Sequence, residues 1–180
     1  MFNVGDKIVY PMHGAGVIES IEEKSILDEK QAYYIIKMPG EVKVMVPTAK
    51  AEEIGVRSVI DKEQAGKVIN VLEQESTETE MNWNKRYRNN YEKMKTGNIF
   101  EVADIVRNLS FKQKEKGLST GEKKMLLNAK QILVSELVLA EQKDKTEVEE
   151  LVENKINQSY EVHVTNVEPD NIMKKFIPLA

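Results

Sequence analysis

The sequence predicts an α+β chain of two domains, a small N-terminal β-barrel followed by a C-terminal all-helical bundle, on three observations. Between residues 6 and 60, short apolar runs are broken every few residues by glycine or proline. From Asp61 onward the apolar residues recur at helical spacing. A length of 180 residues, with 41 % hydrophobic and 31 % charged, suits two small domains in contact and argues against wholesale disorder.

The first strand is Asp6-Lys7-Ile8-Val9-Tyr10, which runs into Pro11 and then His13-Gly14-Ala15-Gly16. Glycines there permit positive φ or a bulge before Val17-Ile18-Glu19-Ser20-Ile21 resumes the strand. Ala32-Tyr33-Tyr34-Ile35-Ile36 is continuously apolar, as expected of a strand covered on both faces, and Pro39-Gly40 follows as a turn. In Val42-Lys43-Val44-Met45-Val46 the valines take one face, Lys43 and Met45 the other. Four or five short strands over residues 1–60 point to a partly open SH3-like or Tudor-like barrel.

Asp61 with Gln64 resembles a capping box, ahead of an apolar stripe at Ala65, Val68, Ile69 and Leu72. The polar run from Glu73 to Glu80 is the expected linker or exposed loop. A second helix is expected to start between Asn82 and Asn84, with Tyr87, Tyr91 and Met94 on one face and Gly97 as its stop. Asn98 with Glu101 opens a third, carrying Val102, Ala103, Val106 and Leu109. Ser119-Thr120-Gly121-Glu122 is a full capping box for a fourth, whose Met125, Ala129, Ile132, Leu133, Leu137 and Ala140 form a long stripe. These define a bundle of about four helices within residues 61–154. Residues 155–180 form a C-terminal extension. Glu161 to Val167 alternates like a strand, while Pro169 and Pro178 flank a segment with little core, so a strand and a mobile tail both stay open.

Several chemistries lack their residues. With no cysteine and only His13 and His163, there is no thiolate site and no spacing for zinc; neither a metal nor a cofactor is expected. Gly14-Ala15-Gly16 lacks the remainder of a nucleotide loop, and His13 in a predicted turn reads as structural. Adjacent acids such as Glu22-Glu23 splay apart, so no catalytic residue and no small-molecule substrate are indicated. No apolar run approaches the roughly 20 residues that span a bilayer, and no signal-peptide pattern opens the chain. The expectation is a cytoplasmic protein without membrane contact.

Charge is unevenly placed. Residues 1–81 carry 9 basic and 15 acidic side chains, residues 82–130 carry 12 and 5, and residues 131–180 carry 5 and 10. A basic block between acidic ones is the footprint expected where one part of a protein meets phosphate, or simply a solvated basic face. Lys85 and Arg86 fall in one predicted first turn, with Arg88 close behind; Lys123 and Lys124 fall in another. Cations at a helix N-terminus oppose the helix dipole unless an anion compensates. Two such starts on one surface would suit backbone phosphates. Trp83, the single tryptophan, lies between Asn82 and Asn84 ahead of Lys85-Arg86-Tyr87-Arg88. It could pack in a core or between domains, or present an aromatic edge to a minor groove or an unstacked base.

Five motifs then line up in order: Val4-Gly5-Asp6-Lys7-Ile8-Val9-Tyr10-Pro11-Met12-His13-Gly14, Val44-Met45-Val46-Pro47, Gly55-Val56-Arg57, Asn82-Trp83-Asn84-Lys85-Arg86-Tyr87 and Gly117 to Met125. Together they resemble the CarD/CdnL family of bacterial RNA polymerase-binding regulators, over roughly residues 1 to 140. The first part is also similar to the polymerase-interacting module of the transcription-repair coupling factor, without that protein's Walker motif. The resemblance implies a barrel that binds the polymerase β subunit, at its lobe, through Lys24, Lys43 and Met45. Several relatives carry arginine at the Met45 position, so either an apolar contact replaces an ion pair there or docking is weaker. It further implies Trp83 as a minor-groove wedge at the upstream edge of the transcription bubble, with Lys85, Arg88 and Lys123 as phosphate contacts and Arg86 as a further candidate; the helix-start reading adds Lys124 to the DNA-binding set. The family effect would be a longer-lived open promoter complex without sequence-specific recognition and without enzymatic activity. A polymerase-binding adaptor that does not touch the promoter, and a small enzyme with an unrecognised site, are the two rival readings.

Overall fold

The computed structural model describes residues 1–77 and 82–175. Five strands form one antiparallel sheet, β1 (Lys7–Tyr10), β2 (Gly14–Ile26), β3 (Glu29–Lys37), β4 (Lys43–Pro47) and β5 (Arg57–Ser58), in the order β4-β3-β2-β1-β5. A one-turn helix α1 (Ala51–Ile54) links β4 to β5. Alternation buries Ile8, Ile18, Tyr34, Ile36 and Val46 together as the barrel core. As the apolar run implied, Tyr33 and Ile35 on the other face of β3 are buried too.

Of the positive φ or bulge expected at the glycines near the start of β2, Gly14 shows the positive φ and neither glycine forms the bulge. Gly14 has φ +106, and a Cβ there would lie 2.7 Å from Ser135 Oγ. A Cβ on Gly16 would lie 2.6 Å from the Lys37 carbonyl oxygen and 2.7 Å from Met38 Sδ. Both positions need the absence of a side chain because something approaches closely. The register shift falls later, between Ile18 and Ser20.

The second half is helical: α2 (Lys62–Glu73), α3 (Trp83–Lys95), α4 (Ile99–Glu115), α5 (Thr120–Glu141) and α6 (Lys145–Lys175). The caps form where the sequence placed them. Asp61 accepts from the Gln64 N–H at 2.8 Å, Asn98 from Phe100 at 3.0 Å and Ser119 from Glu122 at 3.2 Å. Helices α4 and α5 supply most of the core, including Val102, Val106, Leu109, Ala129, Leu133 and Leu137.

Three expectations are corrected. Tyr91 is exposed, since α3 turns only Met94 fully inward. Five helices follow the barrel among the described residues, because Gln142 in the left-handed region (φ 54) ends α5 and a new helix starts at Lys145. Residues 161–167 are helical rather than extended, for α6 runs on to Lys175. Ile156 on that helix is fully buried, and Ser159 Oγ donates to the carbonyls of Glu73 and Gln74 at the end of α2. Those carbonyls have no acceptor-satisfying N–H within their own helix, so α6 caps α2. This packing holds the extension helical where two-residue alternation alone suggested a strand.

The barrel rests on α5. The Ala15 N–H donates to Ser135 Oγ at 2.9 Å, and Lys7 Nζ reaches the Leu139 carbonyl at 3.3 Å.

Candidate nucleic-acid interface

The starts of α3 and α5 come together, and one hydroxyl joins them. Ser119, the N-cap of α5, accepts the Glu122 N–H and also accepts Trp83 Nε1–H at 2.9 Å. The indole stacks on Tyr87, ring centroids 5.4 Å apart and planes 22° from parallel. Gly121 lies against both rings, its Cβ direction 3.5 Å from Tyr87 and 3.7 Å from Trp83. Held on three sides, Trp83 is nevertheless 44 % exposed. Of the placements open to this residue from sequence, the edge of the bundle is the one observed.

The cations around it divide by environment. Lys85, Arg88, Lys123 and Lys124 are exposed within the first two turns of α3 and α5. Arg86 is not available in the same way. Its Nε donates to Glu122 Oε1 at 2.6 Å, and its side chain is only 11 % exposed. Lys112 Nζ approaches the same carboxylate oxygen at 3.5 Å. Glu122, 2 % exposed at the side chain, is therefore a buried acid between two cations. The capping box expected at Ser119 is only half formed as a consequence. The serine caps the helix, but the glutamate turns inward to Arg86 instead of back to the N-cap.

A second network holds Ser76 and Thr77, just beyond the end of α2, against α4. Arg107, fully buried in α4, donates to the Val71 carbonyl at 2.8 Å and to Thr77 Oγ1 at 3.2 Å, and pairs with Asp104. Asn108 Oδ1 accepts from Ser76 Oγ at 3.0 Å and from the Thr77 N–H at 3.2 Å. Sequence reading found Ser119 only as a cap and assigned Arg107 and Asn108 no role, since, Asp104 apart, their partners Val71, Ser76 and Thr77 lie 30 or more residues away and leave no local pattern.

On the barrel, Lys24, Lys43 and Met45 share one face of the sheet. Ile35 is the register partner of Met45, Lys37 that of Lys43, and Gln31 that of Lys24. Odd-numbered β3 residues all point away from the barrel core. Met45 is 43 % exposed on the edge strand β4. Lys43 pairs with Glu19 at 2.8 Å, and Lys24 with Glu22 at 3.5 Å. The Lys43 ammonium donating to Glu19 holds that carboxyl below the usual carboxylate range, and the same bond raises the lysine.

A cleft of about 600 Å³ lies elsewhere, between the barrel residues Val42 and Val44 and the helical residues Leu127, Val134 and Val138. Its ionisable lining is largely self-paired, Lys130 with Glu153 at 2.6 Å and Lys145 with Glu149 at 3.8 Å.

Two family models match the chain. The CarD-like/TRCF RID domain covers residues 2–60, and the CarD C-terminal domain covers residues 67–153. A Bacillus subtilis (strain 168) protein described as "Putative transcription factor YdeB" is 46 % identical over 138 residues, which span 76 % of this chain and 90 % of that relative. The chain belongs to the CarD family. In this CarD protein the barrel model ends one residue before the Asp61 cap, and the helical model stops within α6. Among the described residues, no helix is long and apolar enough to cross a membrane.

Proposed function

We propose that this CarD-family protein is a transcription regulator whose barrel, residues 1–60, binds the β subunit lobe of RNA polymerase. Its helices, within residues 61–154, then hold the upstream edge of the melted promoter. The observation that carries the reading is the exposed indole of Trp83, stacked on Tyr87 and fixed by Ser119 where two helix starts meet among exposed lysines and an arginine. A free tryptophan would lose rotamer entropy on inserting beside a base step; one already oriented does not. Lys85, Arg88, Lys123 and Lys124 supply phosphate contacts without reading sequence. Arg86 is left out of that set, because Glu122 engages it, and acts instead to join α3 to α5.

The effect is differential binding. A wedge that fits an unstacked step better than closed duplex shifts the opening equilibrium by that difference alone. Docking on polymerase supplies the local concentration that a few phosphate contacts cannot. The test is the lifetime of the polymerase–promoter open complex with intact protein, with Trp83→Ala and with no factor. Intact protein is expected to lengthen it and Trp83→Ala to lose most of the gain while still binding polymerase. An unchanged lifetime with Trp83→Ala would favour an adaptor that does not touch the promoter.

A further inference from the structure

One guanidinium joins the barrel to both helices that hold Trp83. Arg57 opens β5, the last strand of the barrel, and its side chain leaves the sheet towards the bundle. Nη1 and Nη2 donate to the two carboxylate oxygens of Glu136 in α5, at 2.7 and 2.9 Å. Nε and Nη2 also donate to the Gly97 carbonyl, at 3.0 and 2.7 Å. Glu136 is 1 % exposed at the side chain and accepts a further bond from the Ile60 N–H at 3.2 Å. Gly97 lies two residues beyond α3, at φ +71, where an added Cβ would come within 3.2 Å of Pro11 Cγ of the barrel.

Trp83 is the first residue of α3, and Arg57 grips the turn at the other end of that helix. Ser119, the indole's hydrogen-bond partner, caps α5, the helix that carries Glu136. The two elements that orient the indole are thus the two elements Arg57 holds. A buried acid paired in two parallel bonds fixes angle as well as distance, which a lysine's single ammonium does not do. Buried ion pairs contribute less to net stability than their geometry suggests, and apolar replacements often serve as well. Directional constraint between two modules is what this arrangement supplies beyond adhesion.

We infer that Arg57 is a positioning residue: through Glu136 and the Gly97 carbonyl it sets the angle between the barrel and the α3–α5 pair, so that a docked barrel presents Trp83 in one place. This rests on the function proposed above, in which the barrel and the indole bind different partners at once. Without the clamp each module would keep its own contacts, but the indole would sample positions that miss the opened step.

Two measurements on the full chain test it. The protein has no cysteine, so Glu53→Cys in the barrel and Asn84→Cys beside the indole can carry a pair of spin labels at chosen places. A single narrow distance is expected with Arg57 intact and a broadened or shifted one with Arg57→Gln. In the open-complex assay, Arg57→Gln without labels is expected to shorten the lifetime about fivefold, with polymerase affinity unchanged. A distance as narrow and as long in Arg57→Gln as in its parent overturns the inference. So does a wild-type lifetime in Arg57→Gln when Trp83→Ala shortens it. If Trp83→Ala has no effect either, the proposed function fails, and the label distance alone decides whether Arg57 sets the angle. Should Arg57→Gln not fold, Glu136→Gln, which keeps the acceptor's shape but removes its charge, carries both measurements.

Discussion

Lys85 and Arg86 are neighbours in sequence with opposite fates, because successive helical residues point about 100° apart. Lys85 faces solvent, whereas Arg86 turns inward to Glu122. Arg86→Ala leaves a buried carboxylate with only Lys112 at 3.5 Å; breaking a buried pair from one side costs about 3–5 kcal/mol. Lys85→Ala is expected to change stability by no more than about 0.5 kcal/mol and to weaken only DNA contact. Urea unfolding of the two variants separates the roles, and equal stabilities would show that Arg86 is not a structural residue. The basic cluster was legible from sequence, but which of its members reach solvent was not. Helical phase relative to Glu122 decides that, and the partner lies 36 residues away.

At the scale of the element, glycine in β2 and the end of α6 make the same point in opposite directions. Gly16 pairs with Ile8 in regular strand geometry, so the constraint on it is space rather than dihedral. Gly16→Ala drives a methyl towards the Lys37 carbonyl and the Met38 sulfur, and is expected to cost about 1–3 kcal/mol by overpacking, read as a lower denaturation midpoint. Alternation in residues 161–167 suggested a strand, yet the residues before it decided the outcome. Ile156 enters the core and Ser159 caps α2, which commits the segment to helix before Glu161 is reached. Ile156→Ala is expected to destabilise the bundle by about 2–5 kcal/mol. A calorimetric midpoint unchanged in that variant would mean that α6 beyond Asn154 is not part of the core. Caps, by contrast, were readable at Asp61, Asn98 and Ser119, which act on N–H groups two or three residues ahead, whereas for α3 only a start between Asn82 and Asn84 was legible and the structure picks Asn82 as the cap.

For the molecule as a whole, a net charge of -4 conceals a basic face on an otherwise acidic chain. Binding to isolated promoter duplex is therefore expected to be weak, with log affinity falling by roughly 0.9 per neutralised phosphate for each unit of log salt. If Lys85, Arg88, Lys123 and Lys124 each meet one phosphate, the slope is about -3.6, and removing one of them lowers it by about 0.9. Fluorescence anisotropy of labelled duplex across a salt series measures it. A slope near zero, or tight binding at physiological salt, would contradict a mechanism that depends on polymerase to deliver the wedge.

What the sequence alone determined was local or periodic: strands ended by glycine and proline, helices opened by their caps, the basic block, and five motifs sufficient to resemble one family. Tertiary structure decided what depends on separation in space. It set Arg57 against Glu136 across 79 residues and Trp83 against Ser119 across 36. It also turned Glu122 from a cap into the buried partner of Arg86 and made a helix of residues that alternate like a strand. The reason is physical. Hydrogen bonding within one turn is encoded by neighbouring residues, whereas desolvation and ion pairing depend on which distant groups the finished core brings together.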